Sequence, residues 1–309
     1  MKNKTSPENP LMTSLREAAV RLWSLKPNKH LSADCFLSFI FEDGGEFFVS
    51  FAENPKSIHV LPGAEALYSY INFLHRPADD GVQTRLRSIA LLTDPKGKPL
   101  FTSFDPGYPP WTLSDYEVRT SLKVYTEAAN LLERYLSFNP DCRFDKLETP
   151  TRRFDKDSGT WVNEIRKLKL PEPLTINIEP PDEITLHRIS RTPMVNANLE
   201  LDIFMIMRAT SEEGYDKPFY PVMILLCDGD KQVALSTELL SPGYDIVSAV
   251  QDTVISFIFK HGKPLSLSVQ LPDLMGMLGG FCDDIDVPLI RASFLPAVNL
   301  YKSEHKIKD

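Results

Sequence analysis

Two aspartate–glycine turns, each set between apolar runs, constrain the fold of this chain more than any other feature. The first stretch is "CFLSFIFEDGGEFFVSF", with its turn at residues 43–45, and the second is "PVMILLCDGDKQVALSTELL", with its turn at residues 228–230. Glycine readily adopts the positive φ that tight hairpin turns require, so both stretches predict β-hairpins. Each hairpin precedes segments with helical spacing of apolar residues, which indicates mixed α and β structure in both halves.

Helices and further strands are predicted around the first hairpin. Apolar residues at helical spacing predict a helix over residues 13–25. The pair Ser114 and Glu117 has the spacing of a capping box and predicts a long helix from about residue 115 to 137. The stretch "RSIALLTDPKGKPLFTSF" predicts a second strand pair, turned at residues 94–97.

The order of elements is clearest in the last third of the chain. After the second hairpin come a helix over "YDIVSAVQDTVISFIFKHG" with Gly262 as its C-cap, the strand "PLSLSVQ", the helix "PDLMGMLGGF", the strand "VPLIRAS" and a helix starting near Pro296. Strands joined by helices are expected to be parallel, through right-handed crossovers. This part therefore predicts a β-hairpin followed by αβαβα.

The length and the prolines predict two domains. With 309 residues, the chain exceeds the size at which a single core usually stops growing. Prolines interrupt "KLPEPLTINIEPPDEITLHRISRTP", so residues 141–195 are predicted to form a linker with strand-like pieces. We expect an α+β domain over residues 1–140 and an α/β domain over residues 196–309. The predicted fold class is α/β and α+β, with two mixed-sheet domains.

The composition argues against several classes of protein. A net charge of -8 disfavours a general nucleic-acid surface, which depends on clustered Lys and Arg. No apolar run reaches the length of a signal-peptide core or a membrane span, so a cytoplasmic protein without membrane contact is expected. The four cysteines are far apart in sequence, which indicates reduced thiols. No metal and no cofactor is predicted, and a protein or peptide is the expected partner.

Two parts of the chain resemble a known family. The leading helix with Trp23, the strand "GEFFVSF", the stretch "LPGAEALYSYINFL" and the motif "PGYPPWTLSDYE" resemble the N-terminal domain of a bacterial two-domain family of unknown function. The part from "PVMILLCDGDKQVALSTELLSP" to "KPLSLSVQLPDLMGMLGGFCDDIDVPLI" is similar to the second domain of that family, also of unknown function. The resemblance implies two domains and carries over no catalytic residue.

The stretch "FDPGYPPW", residues 104–111, has two interpretations. Its Pro-Gly pair suits a type II turn, and the two following prolines stiffen the chain. In the first interpretation, it is an elbow that anchors Trp111 in the core and starts the long helix. In the second, Tyr108, Pro109 and Trp111 form a pre-ordered interaction surface for a peptide or another domain, because rigid aromatic residues bind with little loss of entropy.

Acidic residues of the last third suggest an alternative function. A hairpin followed by αβαβα resembles the order of elements in a ribonuclease H-like domain, where carboxylates hold two metal ions for phosphoryl displacement. Asp228, Asp252 and Asp273 lie near comparable points of the predicted order. Turn and helix-cap roles account for Asp228 and Asp273 as well.

Other catalytic motifs are missing from the sequence. The histidines show no metal-ligand spacing, no serine lies in a GxSxG turn, and "GMLGG" lacks the spacing of a dinucleotide-binding loop. The run "CDDIDVP" is interpreted as a solvated turn. We therefore assign no catalytic residue. The preferred hypothesis is a noncatalytic binding or adaptor module with its contact site between the domains, and the alternative is a divergent metal-dependent, nuclease-like enzyme acting on nucleic acid or nucleotides.

Overall fold

The computed structural model describes residues 10–53, 56–75, 85–93, 98–138, 142–169, 178 and 180–307. The chain divides into two compact units, Met1–Pro173 and Leu174–Asp309, which are called the N-terminal and C-terminal units below. Each unit has its own mixed sheet and its own hydrophobic clusters. This confirms the predicted fold class.

The N-terminal unit contains a seven-stranded sheet with the order β5-β4-β3-β2-β1-β6-β7 among the described residues. Its strands are β1 (Leu37–Ile40), β2 (Glu46–Glu53), β3 (Lys56–Pro62), β4 (Ser88–Thr93), β5 (Pro99–Phe104), β6 (Glu148–Asp155) and β7 (Thr160–Lys167). Neighbouring strands are antiparallel, except for the parallel pair of β1 and β6. In the β1–β2 turn, Gly44 has a φ of 85°, so glycine is needed at this point of the predicted hairpin.

Helices cover both faces of this sheet. They are α1 (Pro10–Ser24), α2 (Gly63–His75) and α3 (Asp115–Phe138). Helices α1 and α3 contribute to the main hydrophobic cluster, in which residues such as Leu22 and Val124 pack against Phe39 and Val49 of the sheet. Helix α2 packs on the opposite face, where Leu67 and its neighbours form a smaller cluster with side chains of β2 and β3.

The predicted capping box starts α3. The backbone N–H of Ser114 donates to Glu117 Oε2 at 2.7 Å, and the backbone N–H of Glu117 donates to Ser114 Oγ at 3.3 Å. Glu117 Oε1 also accepts a hydrogen bond from Ser103 Oγ of β5, at 2.5 Å. The start of the helix is therefore held to the end of the neighbouring strand as well as being capped.

The C-terminal unit contains a five-stranded sheet with the order β10-β9-β8-β11-β12. The strands are β8 (Asn198–Met205), β9 (Val222–Asp228), β10 (Val233–Leu240), β11 (Ser266–Val269) and β12 (Leu289–Arg291), and the helices are α4 (Glu183–Ser190), α5 (Ile246–His261), α6 (Pro272–Asp284) and α7 (Pro296–Glu304). Strands β8, β9 and β10 are antiparallel to one another, whereas β11 is parallel to both β8 and β12. The predicted hairpin followed by αβαβα is confirmed.

The two faces of β8 have different chemistry. Leu199 and Leu201 belong to the hydrophobic cluster that includes residues of α5 and α6. Glu200 and Asp202 alternate with them and hydrogen-bond or ion-pair with α7 on the other face. The alternation follows from the period of two in a β-strand, which sends successive side chains to opposite faces.

The segment 141–195, predicted to be a linker, is largely built into the two units. Strands β6 and β7 form a hairpin that extends the N-terminal sheet through β1, and the N-terminal unit ends at Pro173. Helix α4 packs against the C-terminal cluster through Ile189 and is capped by Asp182, whose Oδ1 accepts the N–H groups of two residues in its first turn. The turn predicted at residues 94–97 lies outside the described residues.

Candidate binding groove

A groove of about 580 Å³ lies in the N-terminal unit, between α3, the β1–β2 turn and the β6–β7 hairpin. Aromatic rings make up much of its surface. They are Phe41 and Phe47 from the turn region, Tyr116 from α3, and Phe154 and Trp161 from the hairpin. Its volume is in the range of pockets that hold small ligands or short peptide segments.

Strand register brings these rings to one side of the sheet. Phe39 of β1 is paired with Phe47 of β2 and with Arg152 of β6, and Phe154 of β6 is paired with Trp161 of β7. Residues two apart on a strand share a face, so all of these side chains lie on the face that carries the main hydrophobic cluster. The groove is the part of that face next to α3, at the β6–β7 edge.

The aromatic rings contact one another edge to face around Trp161. The centroid of the Trp161 ring is 5.5 Å from that of Phe41, with an interplanar angle of 90°, and 5.5 Å from that of Phe154, with an angle of 79°. Phe41 also contacts Phe47, at 5.6 Å and 81°. Such edge-to-face pairs fix the rings relative to each other and leave ring faces available for contact.

Arg152 forms the polar base of this cluster. Its Nε donates to Glu127 Oε2 of α3 at 2.5 Å, its Nη1 donates to Asn163 Oδ1 at 2.9 Å, and its guanidinium carbon is 5.1 Å from the centroid of the Trp161 ring. The side chains of Arg152 and Glu127 are only 14% and 15% exposed. This partly buried ion pair ties α3 to β6 and holds a cation against the indole.

The rim of the groove carries charges from two elements. Glu42 and Asp43 are exposed on the β1–β2 turn, and Lys123 is exposed on α3. Asp43 Oδ1 accepts the backbone N–H of Gly45 at 2.9 Å, which stabilises the turn. Within the described part of the chain, the Glu42 carboxylate has no hydrogen-bond or ion-pair partner. The turn therefore presents two carboxylates beside the aromatic rings.

The elbow at residues 104–111 contains the predicted type II turn, but Trp111 is not buried in the core as the first interpretation expected. Gly107 has a φ of 81°, and the N–H of Tyr108 donates to the carbonyl of Asp105 at 3.1 Å, as in a type II turn. Trp111 exchanges backbone hydrogen bonds with Ser103 of β5, at 2.8 and 2.9 Å. Its side chain is 40% exposed, which contradicts its interpretation as a core anchor.

The elbow residues do not line the groove. The elbow follows β5 at one edge of the N-terminal sheet, whereas the groove lies over β1, β2, β6 and β7 and the start of α3. Tyr116 of the groove follows Trp111 closely in the chain, so the start of α3 connects the two regions. Tyr108 and Pro109 are half-buried and do not line the groove. The groove was not predicted from the sequence, and the role of Tyr108, Pro109 and Trp111 as an interaction surface stays a prediction.

The three acidic residues of the nuclease alternative have different environments. Asp228 is the last residue of β9. Its carboxylate accepts hydrogen bonds from the backbone N–H groups of residues 230 and 231 and forms an ion pair with Lys231 Nζ at 2.7 Å. Asp252 is exposed on α5, and Asp273 is exposed in the first turn of α6. No group of three or more His, Cys, Asp or Glu side chains in the described ranges could hold a metal ion. The alternative has no support in this arrangement.

Two carboxylates that the sequence reading did not single out lie under α7. Glu200 Oε2 accepts the backbone N–H groups of Ala297 and Val298 at 2.8 and 3.1 Å, so it caps the start of the helix. Lys302 Nζ forms an ion pair with Asp202 Oδ2 at 3.0 Å, with both side chains nearly buried. Burial and these carboxylates raise the pKa of the neighbouring Cys227 thiol to about 12. Both acids bind α7 to the sheet.

The aromatic groove was missed because its parts are distant in sequence. Phe41 and Phe47 flank the first hairpin turn, within the apolar runs that predict its two strands. Phe154 and Trp161 flank the stretch "DKDSGT", which lies in the segment predicted to be a linker. The turn residues of "DKDSG" between Phe154 and Trp161 are the signal that could have indicated this second hairpin.

Comparison with known proteins identifies one family domain. Residues 185–304 match the model of a domain of unknown function, DUF6930, which spans most of the C-terminal unit from α4 to α7. The predicted resemblance to a family of unknown function is thereby confirmed for this part, while the N-terminal motif and the bacterial source stay predictions. Neither the curated proteins nor the solved structures gave a match. No helix in the described residues is long and apolar enough to cross a membrane.

Proposed function

We propose that this chain is a noncatalytic binding module and that the N-terminal unit holds its partner in the aromatic groove. The observation that carries the proposal is the set of fixed, partly exposed aromatic rings centred on Trp161, next to a rim with exposed charged side chains. Rigid aromatic side chains bind with little loss of conformational entropy and are enriched at the centres of binding surfaces. A groove of this volume can take up a few side chains, and we propose a peptide segment or a protein loop as the partner.

The elbow is a second candidate surface. Tyr108, Pro109 and Trp111 form it, and the exposure of the Trp111 side chain favours a contact role over a purely structural one. Its backbone is fixed by the turn at Gly107 and by the hydrogen bonds between Trp111 and Ser103, so it is pre-ordered for binding. A contact site between the two domains stays a prediction.

Site-specific photocrosslinking tests the proposal and separates the two surfaces. A photoreactive phenylalanine analogue replaces Tyr116, which is 73% exposed at the groove, in one variant, and Tyr108 of the elbow in another. The control position is Tyr68 on α2, which is 44% exposed away from both surfaces. After irradiation in native lysate, we expect a defined crosslinked band at position 116 that is missing at position 68. Equal patterns at positions 116 and 68 would reject the groove.

A further inference from the structure

The protein's own Arg152 shows which chemical group this aromatic cluster accommodates. Its guanidinium lies over the Trp161 ring at 5.1 Å while it is paired with the Glu127 carboxylate. A planar, weakly hydrated cation between an aromatic face and a carboxylate gains cation–π attraction and a charge-assisted hydrogen bond together. Trp161 and Glu127, which line the groove, thus also form an intramolecular arginine site.

The same two components, aromatic rings and carboxylates, occur again at the rim of the groove. The rings of Phe41 and Tyr116 are accessible there, and the carboxylates of Glu42 and Asp43 lie on the adjoining turn. Within the described residues, the Glu42 carboxylate has no hydrogen-bond or ion-pair partner. The Asp43 carboxylate accepts a hydrogen bond from the backbone N–H of Gly45 and forms no ion pair there. Lys123 is the opposing charge on the rim, so the turn side is the negative side of the groove.

We infer that the groove binds an extended peptide by taking up an arginine side chain between these rings and the turn carboxylates. This inference rests on the proposed function and specifies the chemistry of the partner. Arginine fits better than lysine because its flat guanidinium stacks on a ring while its N–H groups reach a carboxylate in the same plane. The net charge of -8 on the chain favours the approach of a basic segment over an acidic one.

A set of matched peptides tests the inference with the full chain. The probe is the capped, fluorescein-labelled peptide Gly-Ser-Arg-Gly-Arg-Ser-Gly, and its binding is followed by fluorescence anisotropy. In the other peptides both arginines are replaced by citrulline, by lysine or by glutamate. Citrulline keeps the shape of arginine and removes its charge. We expect the arginine peptide to bind at least about tenfold more tightly than the citrulline peptide and about threefold more tightly than the lysine peptide.

A charge-neutralising variant locates the cation. The double variant Glu42→Gln with Asp43→Asn removes both carboxylates, and the asparagine keeps the oxygen that accepts the Gly45 N–H. We expect it to bind the arginine peptide about fivefold more weakly. The matched control is Glu17→Gln with Glu65→Gln, two exposed acids on α1 and α2 outside the groove, which should bind like the wild type.

Four results would overturn the inference. The first three are equal binding of the arginine and citrulline peptides, equal binding by the groove variant and the control variant, and no anisotropy change up to about 5 mM chain, the weak end of specific recognition. Tighter binding of the glutamate peptide would point to Lys123 and overturn it as well. The proposed function fails separately, because it depends on whether crosslinks at Tyr116 differ from those at Tyr68, whatever peptide is bound.

Discussion

Acidification should destabilise the N-terminal unit through one buried histidine, His59 on β3. The residue is 6% exposed, with Nε2 3.1 Å from Ser57 Oγ, Nδ1 3.3 Å from Ser88 Oγ, and the Tyr70 ring centroid 4.8 Å from its own. These neighbours carry no charge that could compensate a proton on the imidazole. Burial lowers the pKa of His59 to about 4, so the folded unit holds it neutral.

The sign and size of the effect follow from the two pKa values. An unfolded histidine has a pKa of about 6.5, so between that value and about 4 the unfolded chain binds a proton that the folded chain does not. Stability contributed by the neutral imidazole is complete above about pH 6.5 and is lost as the pH falls towards 4. Going from about pH 7.5 to about pH 4.5 should therefore lower the free energy of unfolding by about 2.5 kcal/mol through His59 alone.

Urea unfolding followed by tryptophan fluorescence measures the free energy of unfolding of the N-terminal unit. All three tryptophans, Trp23, Trp111 and Trp161, belong to the N-terminal unit, so their emission does not report on the C-terminal unit. The comparison variant is His59→Gln, whose amide can still donate and accept hydrogen bonds with the two serines but does not titrate. Between about pH 7.5 and about pH 4.5, the free energy of unfolding should fall by about 2.5 kcal/mol less in the variant than in the wild type.

Exposed carboxylates do not obscure the comparison. Hydrogen bonds from Ser158 lower the pKa of Asp155, for example, so its contribution to stability is also lost at low pH. Such groups are present in both proteins and cancel in the difference. Equal losses of stability in the wild type and in His59→Gln would refute the reasoning and would show that His59 is protonated without unfolding.

Further predictions concern three local structures. In Gly262→Ala, the added Cβ would lie 2.5 Å from Val195 Cγ1, at a residue with a φ of 114°, so we expect a loss of about 2 kcal/mol in the unfolding of the C-terminal unit, measured by circular dichroism. Lys302→Met removes the ammonium that contacts the nearly buried Asp202 carboxylate, and we expect a loss of about 3 kcal/mol in the free energy of unfolding. Asp202→Asn in the same chain should partly restore it, and no restoration would contradict this explanation. Glu117→Ala removes the capping box and the contact with β5, and we expect tryptophan fluorescence to show a loss of about 1–2 kcal/mol, whereas an unchanged stability would contradict a role for the cap.

Features that depend on neighbouring residues were predictable from the sequence. Three such features depend only on residues close by in the sequence. They are the capping pair Ser114 and Glu117, the glycine of the first hairpin turn and the C-cap at Gly262. The hairpin followed by αβαβα in the C-terminal unit is likewise a chain of local signals. In each case the conformational preference of single residues and the apolar spacing are sufficient.

Features that depend on pairing between distant strands were not predictable. The groove exists because β6 pairs in parallel with β1, more than a hundred residues earlier in the chain, and no local signal specifies that neighbour. The polar contacts of His59 need β3 and β4 in one particular register. Prolines around residues 170–193 indicated a linker, but they gave no information on the hairpin that precedes them.

The indole N–H resonances of the three tryptophans test the central claim most directly. In the ¹⁵N-labelled chain, Trp161 reports on the groove, Trp111 on the elbow, and Trp23, which lies under Lys56, on a third region of the N-terminal unit. Single Trp→Phe variants assign the signals. On addition of the partner captured by crosslinking at Tyr116, the Trp161 resonance should shift or broaden while those of Trp111 and Trp23 stay unchanged. A shift of the Trp111 resonance alone, or no shift of any of the three, would contradict binding in the groove.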